Sequence, residues 1–379
     1  MRTELPEPSV AERDHSATLA AFIRNEIAAN GPMPFSRFME MALYAPGLGY
    51  YSAGKTKFGR DGDFITAPEL GSVFARCVAR AMAPVLGTGE NADVIELGGG
   101  SGAFAQDCLE ELARLQRLPA RYRILEPSAD LRERQQRRLR AALPAALAAR
   151  VEWIERPPEE DWEGVLFANE VIDALPTTRF CVRDGEVFEE HVVDDGNGGF
   201  ASIDLPADSF VANAVRHVER DLGHGFADGY RSEVLPQLPF WIQAVCGSLA
   251  RGMAMFVDYG YARREYYRDD RRDGTLIATY RHRAHDDPYR LVGLQDLTAF
   301  VDFSALAEAG VTAGMRIAGM GTQADFLIAN GLSEVFSDLG MTADEVQRYR
   351  LSQEIKRLTL PAEMGEKFKV MAFERSGAD

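Results

Sequence analysis

The residues with the clearest chemical potential are Glu96 and the glycines that follow it. Val94-Ile95-Glu96-Leu97 is an apolar run carrying one acid near its end, and Gly98-Gly99-Gly100-Ser101-Gly102 continues it with almost no side chains. Phe104, Cys108, Leu112 and Leu115 then recur at three- and four-residue steps, the spacing of a helix that lays one face on a sheet. A strand, a tight turn and a helix N-terminus are therefore expected to meet at Gly98, Gly100 and Gly102. Glycine suits that turn because the backbone must pass through positive φ and because a Cβ would hold a ligand off the chain. Read as Gly98-x-Gly100-x-x-Ala103, the same residues fit the dinucleotide fingerprint of nicotinamide and flavin enzymes. Glu96 favours S-adenosylmethionine instead. That cofactor carries an ammonium and a sulfonium and no pyrophosphate, so an anion at the strand end complements it, whereas beside a pyrophosphate it would repel. The plainer alternative for Glu96 is a carboxylate that caps the loop or helix.

A second acid, Glu126, ends the apolar run Tyr122-Arg123-Ile124-Leu125 some two dozen residues on. A carboxylate there can take both ribose hydroxyls, which indicates an adenosine-containing ligand without choosing between methyl and hydride transfer. A third group, Asn169-Glu170-Val171-Ile172-Asp173, follows the apolar stretch Gly164-Val165-Leu166-Phe167-Ala168. Two acids and an amide suit an amine or cationic nucleophile. Methyl transfer needs the acceptor lone pair held in line with the methyl carbon, and a carboxylate can orient an N–H group for it. Asp173 as a helix cap, with Glu170 alone in the pocket, is an equal alternative. A fourth stretch, Gly62-Asp63-Phe64-Ile65-Thr66-Ala67-Pro68-Glu69, is too rich in aromatic and acidic side chains for a linker. It is expected to close over the cofactor, with Asp63, Thr66 and Pro68 contributing to its site.

The elements that position these groups alternate as in an open α/β sheet. Strands are expected at 94–97, 122–126, 151–154, 164–168 and 253–258, the fully apolar ones reading as buried on both faces. Ligands bind beyond the carboxyl ends of such strands, which puts Glu96, Glu126, Asn169 and Asp258 along one rim. The alternation is interrupted between about 177 and 250 by a hairpin turning at Asp184-Gly185 and by helices over 207–221 and 235–249. Residues 368–373 read as a late edge strand, residues 16–29 as a short amphipathic helix, and the first dozen residues as polar and disordered. The expected division is an N-terminal helical extension and lid over 1–86 and a core over 87–379 carrying that insertion.

A formal charge of −16 argues against nucleic acid as the main partner, since phosphate binding needs a basic surface. The arginines over 121–150 are a local exception, read as a solvated helix in preference to a basic docking patch. Cys77, Cys108, Cys181 and Cys246 show no paired spacing, which argues against a zinc site and a disulfide framework and suggests a reducing compartment. His282 and His285 beside Asp286 read as polar surface, and no metal is expected. With no signal pattern and no apolar run of spanning length, a cytoplasmic protein without membrane insertion is expected.

Taken together, Tyr44-x-Pro46-Gly47-x-Gly49-Tyr50-Tyr51, Gly62-Asp63-Phe64-x-Thr66-x-Pro68-Glu69, Glu96-Leu97-Gly98-x-Gly100-x-Gly102 with Asp107, Asn169-Glu170-x-x-Asp173-Ala174-Leu175-Pro176, Asp258-Tyr259-Gly260 and Gly274-Thr275-Leu276 with Tyr280 and His282 resemble the MidA-like S-adenosylmethionine-dependent methyltransferases. That family includes a mitochondrial assembly factor of respiratory complex I. The resemblance implies a class I, Rossmann-like methyltransferase sheet with a helical insertion and, for the mitochondrial members, symmetric dimethylation of an arginine on a complex I subunit. It departs at Phe300 and Ala75, where the family pattern has a histidine and a glycine. The expected function is methyl transfer to a nitrogen of a protein side chain, with arginine, on a substrate such as a respiratory complex subunit, as the expected acceptor and a homodimer among the assemblies considered. The alternatives are an assembly protein that keeps the cofactor without turnover and, less favoured, a nicotinamide-linked oxidoreductase.

Overall fold

The strand Asp93–Leu97 is buried along its whole length, with parallel neighbours on both sides and Val94 packed in one apolar cluster with residues of the helices Val73–Leu86 and Ala103–Arg114. The protein, seen in a computed structural model, is described over residues 5–53, 66–87, 91–341 and 343–377. Seven strands of the central sheet run in the order Val151–Ile154, Tyr122–Leu125, Asp93–Leu97, Trp162–Asn169, Leu249–Tyr261, Phe368–Arg375, Arg316–Thr322. Numbered along the chain, that order is 3-2-1-4-5-7-6. The first five are mutually parallel, and Phe368–Arg375 runs antiparallel to both of its neighbours. This strand is an interior one, which corrects its expected place at the edge. Its residues Val370, Met371 and Phe373 are buried, and the true edge, Arg316–Thr322, is glycine-bearing and exposed.

Helix Val73–Leu86 and helix Ala103–Arg114 pack together on the sheet, joining Phe74, Phe104 and Phe167 in one apolar cluster. Phe104 stacks on Phe167 at 4.2 Å between ring centroids. Ala75 lies in that core fully buried, so the small residue is required by packing.

The chain divides into two compact units, and the division is not the expected break at residue 86 with an insertion over 177–250. One unit comprises 65–171, 239–260 and 306–379 and holds the sheet; the other comprises 1–64, 172–238 and 261–305. Helix Val73–Leu86 falls with the sheet because its apolar face is buried there. In the other unit, helix Val10–Asn30 begins well before residue 16 and takes in residues 10–12 of the stretch expected to be disordered, of which residues 1–4 lie outside the described residues. Ser9 and Glu12 close a capping box at its start, and Leu19, Ile23 and Ile27 are its buried stripe. The predicted hairpin forms between Thr178–Arg183 and Glu186–Asp194, turning at Asp184 and Gly185, both at positive φ. Buried charge ties this unit together: Glu190 accepts from Arg179 at 2.9 Å, Arg231 at 2.7 Å and the Tyr289 hydroxyl at 2.7 Å. The motif Gly274-Thr275-Leu276 acquires a structural reason here. The Glu233 carboxylate occupies the space of any Cβ on Gly274, and it accepts the Thr275 N–H at 2.8 Å.

Candidate cofactor site

The glycine turn begins where the Gly98 N–H donates to the Leu125 carbonyl at 3.0 Å. Gly98, Gly100 and Gly102 take φ of 67°, 51° and 82°, a conformation that disfavours any side chain. Gly102 is the left-handed N-cap of helix Ala103–Arg114 and offers no capping side chain, while Ser101 Oγ accepts the Ala103 N–H at 3.3 Å. The turn thus presents backbone N–H groups and the positive end of a helix dipole at the carboxyl end of the sheet. This cradle fits a ligand that lies against the chain.

Glu96, 3 % exposed, accepts the Tyr122 hydroxyl at 2.8 Å beneath helix Ala103–Arg114. Burial pushes its pKa up to about 8, opposed by the Tyr122 hydrogen bond and reinforced by the charge of Glu126. A carboxyl in this state is poised to ionise when a cation arrives, which fits an ammonium or sulfonium better than a pyrophosphate.

Glu126 is buried at the end of the next strand, with Oε1 accepting the Ser128 N–H at 3.0 Å and Oε2 the Gln135 amide at 3.2 Å. Asn169, ending the fourth strand, donates from Nδ2 to Glu170 Oε1 at 3.0 Å, while its own Oδ1 is buried with no hydrogen-bond partner among the described residues. Glu170 stands at φ 52°, an uncommon conformation for a residue with a Cβ, and its N–H donates to the Val257 carbonyl at 2.9 Å. Strand register brings Glu96, Glu126, Asn169 and Asp258 to the same end of neighbouring strands, as expected. Asp173 belongs to the other unit, where it is buried. Burial raises the Tyr51 hydroxyl there, and the charges of Asp296 and Asp173 add to the shift. Tyr51 donates to Asp296 at 2.9 Å, and the Ala299 N–H donates to the Asp173 carbonyl at 2.9 Å.

Asp63 and the first half of the expected lid, residues 62–65, lie outside the described residues. Thr66, buried, precedes the short helix Ala67–Leu70, and Pro68 stands in its first turn. From that helix, Glu69 accepts the Ser101 hydroxyl of the glycine turn. The Glu69–Ser101 contact escaped sequence reasoning, and so did two residues around Glu126. Gln135 and Trp153 complete its surroundings, and the signal for Gln135 was present: Leu131, Gln135 and Leu139 form the one buried stripe of helix Ala129–Ala142. Four arginines of that helix pair with neighbouring side chains, Arg132 with Glu155, Arg134 with Asp130, Arg137 with Glu133 and Arg138 with Gln106, and Arg138 also donates to Ser101 Oγ of the glycine turn at 3.2 Å. At the positions of the expected metal question, His285 Nδ1 accepts the Asp287 N–H at 3.3 Å, and no metal-holding group of histidine, cysteine and acidic side chains occurs among the described residues.

Residues 73–321 match the family model described as "Putative S-adenosyl-L-methionine-dependent methyltransferase". The chain belongs to this family. A crystal structure of a family relative from Burkholderia thailandensis, bound to S-adenosyl-homocysteine, is 41 % identical, with a TM-score of 0.91 covering 99 % of this chain and 97 % of that one. A native crystal structure from the same organism is 40 % identical, with a TM-score of 0.88 covering 99 % of this chain and 96 % of that one. Among curated proteins, the mitochondrial protein arginine methyltransferase NDUFAF7 homolog of Drosophila melanogaster is 27 % identical over 97 % of this chain and 87 % of its own length. The strand order with its one antiparallel member is thus that of an S-adenosylmethionine-dependent methyltransferase, and the cofactor is S-adenosylmethionine. The nicotinamide alternative is set aside. No helix among the described residues is long and apolar enough to cross a membrane.

Proposed function

We propose that this methyltransferase N-methylates an arginine side chain of a protein substrate and carries it to the dimethylated form. Bound S-adenosylmethionine supplies a methyl group on a sulfonium, which departs as a neutral thioether. The chain's own residues then have to hold, orient and compensate charge. In this reading Glu96 faces the methionine end, Gly98, Gly100 and Gly102 wrap the cofactor, Glu126 takes the ribose hydroxyls, and Thr66 and Pro68 flank the site.

The observation that carries the acceptor assignment is Glu170, a carboxylate at a strand exit on a strained backbone, steadied by Asn169. A guanidinium is cationic, planar and a poor nucleophile. A carboxylate can orient one of its edges by a charge-assisted contact and accept the proton that the nitrogen gives up as the methyl arrives. The name of the curated relative supports arginine as the acceptor, and the resemblance makes a respiratory-complex subunit the first candidate substrate.

The test is incubation of the purified protein with methyl-labelled S-adenosylmethionine and a cell lysate, followed by acid hydrolysis and amino-acid analysis. Label in dimethylarginine is expected. Label confined to lysine or to small molecules would overturn the acceptor, and cofactor binding without any incorporation would favour the non-catalytic assembly protein.

A further inference from the structure

Gln135 is fully buried in a helix that otherwise carries mostly arginine and polar side chains. A buried amide is costly unless its donors and acceptor are matched. Here they are matched in one sense only. The Trp153 indole N–H reaches Gln135 Oε1 at 2.8 Å, and an indole N–H can only donate, so the amide oxygen must face it. The amide NH2 is thereby forced toward two acceptors, the Gly100 carbonyl at 3.0 Å and Glu126 Oε2 at 3.2 Å. The reversed amide would set an oxygen against a carbonyl and a carboxylate, and an NH2 against an N–H. One side chain therefore joins the centre of the glycine turn to the second acid, in an orientation dictated from the third strand. Gly99 belongs to the same arrangement: a Cβ there would stand 2.7 Å from Ile124 Cγ2 and 3.1 Å from Gln135 Nε2.

We propose that Gln135 is a positioning and specificity residue of the cofactor site. Its amide locks the Glu126 carboxylate in the rotation that receives the ribose hydroxyls of S-adenosylmethionine, so preference for a ribose over a deoxygenated sugar depends on it. Gln135 holds one carboxylate oxygen while the Ser128 N–H holds the other. An ionised carboxylate has about four acceptor sites, so one held this way can still accept from a diol. With Gln135 removed, Glu126 keeps its charge and loses a contact that sets its plane. This inference rests on the cofactor and not on the identity of the methyl acceptor.

The experiment measures binding by calorimetry, with S-adenosyl-homocysteine and its 2′,3′-dideoxy analogue as probes, on the parental protein and on Gln135→Met and Trp153→Phe. The parent is expected to prefer the ribose form by at least about tenfold, the scale of a charge-assisted hydrogen bond. Gln135→Met is expected to narrow that preference at least about threefold, by weakening the ribose form more than the dideoxy form. Trp153→Phe keeps Gln135 but frees its amide to reverse, and is expected to narrow the preference in the same direction by less. An equal loss for both probes would make Gln135 merely structural and overturn the proposal, as would an unchanged preference. Should Gln135→Met fail to fold, Trp153→Phe decides alone: a preference as wide as the parent's overturns the proposal.

Discussion

Burial favours a neutral Glu96 in the ligand-free fold, whereas the role proposed for it needs the charged form, and pH separates the two. Its carboxyl lies at about 8 when buried, against an ordinary value of about 4.3 in an unfolded chain. A folded value above the unfolded one means the folded state binds the proton more tightly. The contribution of Glu96 to ligand-free stability is then complete below about pH 4.3 and is lost as pH rises through about 8. A cation at the site reverses this, since it favours the ionised form and expels the proton. Affinity for S-adenosylmethionine should therefore rise between about pH 6 and 8, by at most about tenfold per unit, and level off above. Calorimetry at three pH values across that window checks it, and Glu96→Gln should flatten the profile. An affinity indifferent to pH in the parent would remove Glu96 from cation recognition. Glu170 separates binding from chemistry. Glu170→Gln should lower methyl transfer by at least about tenfold, roughly 1.4 kcal/mol, with cofactor affinity little changed. Glu170→Gly should lose the same activity while relieving the φ of 52°, so its melting temperature should not fall by the amount expected of a Cβ-bearing replacement. Parental turnover in either variant would move attention to Asp173.

Elements act on the site through the faces they bury, and the glycine turn is the sharpest case. Gly99→Ala should cost roughly 1–3 kcal/mol, because its methyl meets Ile124 from the second strand and Gln135 from helix Ala129–Ala142, both held by their own packing. Chemical denaturation measures the loss, and a neutral substitution would show that the helix can retreat. The strands were legible because apolar runs such as Val165 to Ala168 admit little else, and the turn because only glycine tolerates its φ values. Arg316–Thr322 was not legible. With glycines at 319 and 321 and most of its residues exposed, it lacks the alternation that marks a strand, and its absence made Phe368–Arg375 look like an edge. The start of helix Val10–Asn30 was written in Ser9-Val10-Ala11-Glu12, a capping signature overshadowed by the charge around it. Glu96 and Glu126 could be found because each ends an apolar run. Gln135 needed the four-residue stripe of Leu131 and Leu139 to be weighed above the arginines between them, and Trp153 gives no sign in sequence of pointing at an amide.

On the scale of the whole molecule, the chain passes between its two compact units five times, so neither unit is a continuous piece of sequence. A truncated chain ending before Phe368 should be insoluble. It would leave one long side of Leu249–Tyr261 without its backbone partner and strip Arg316–Thr322 of the only neighbour it pairs with among the described strands. Soluble expression of a chain ending at Gly365, with cofactor-dependent stabilisation intact, would contradict this. The same feature bears on how the protein is made. A ribosome delivers the glycine turn and both acids early, yet the strand that closes the sheet between two others starts only at Phe368. From the completion of Leu249–Tyr261 until Phe368 emerges, the nascent chain therefore carries an open, apolar strand flank that nothing yet made of its own can cover, and in the cell that interval is when a chaperone has most to do.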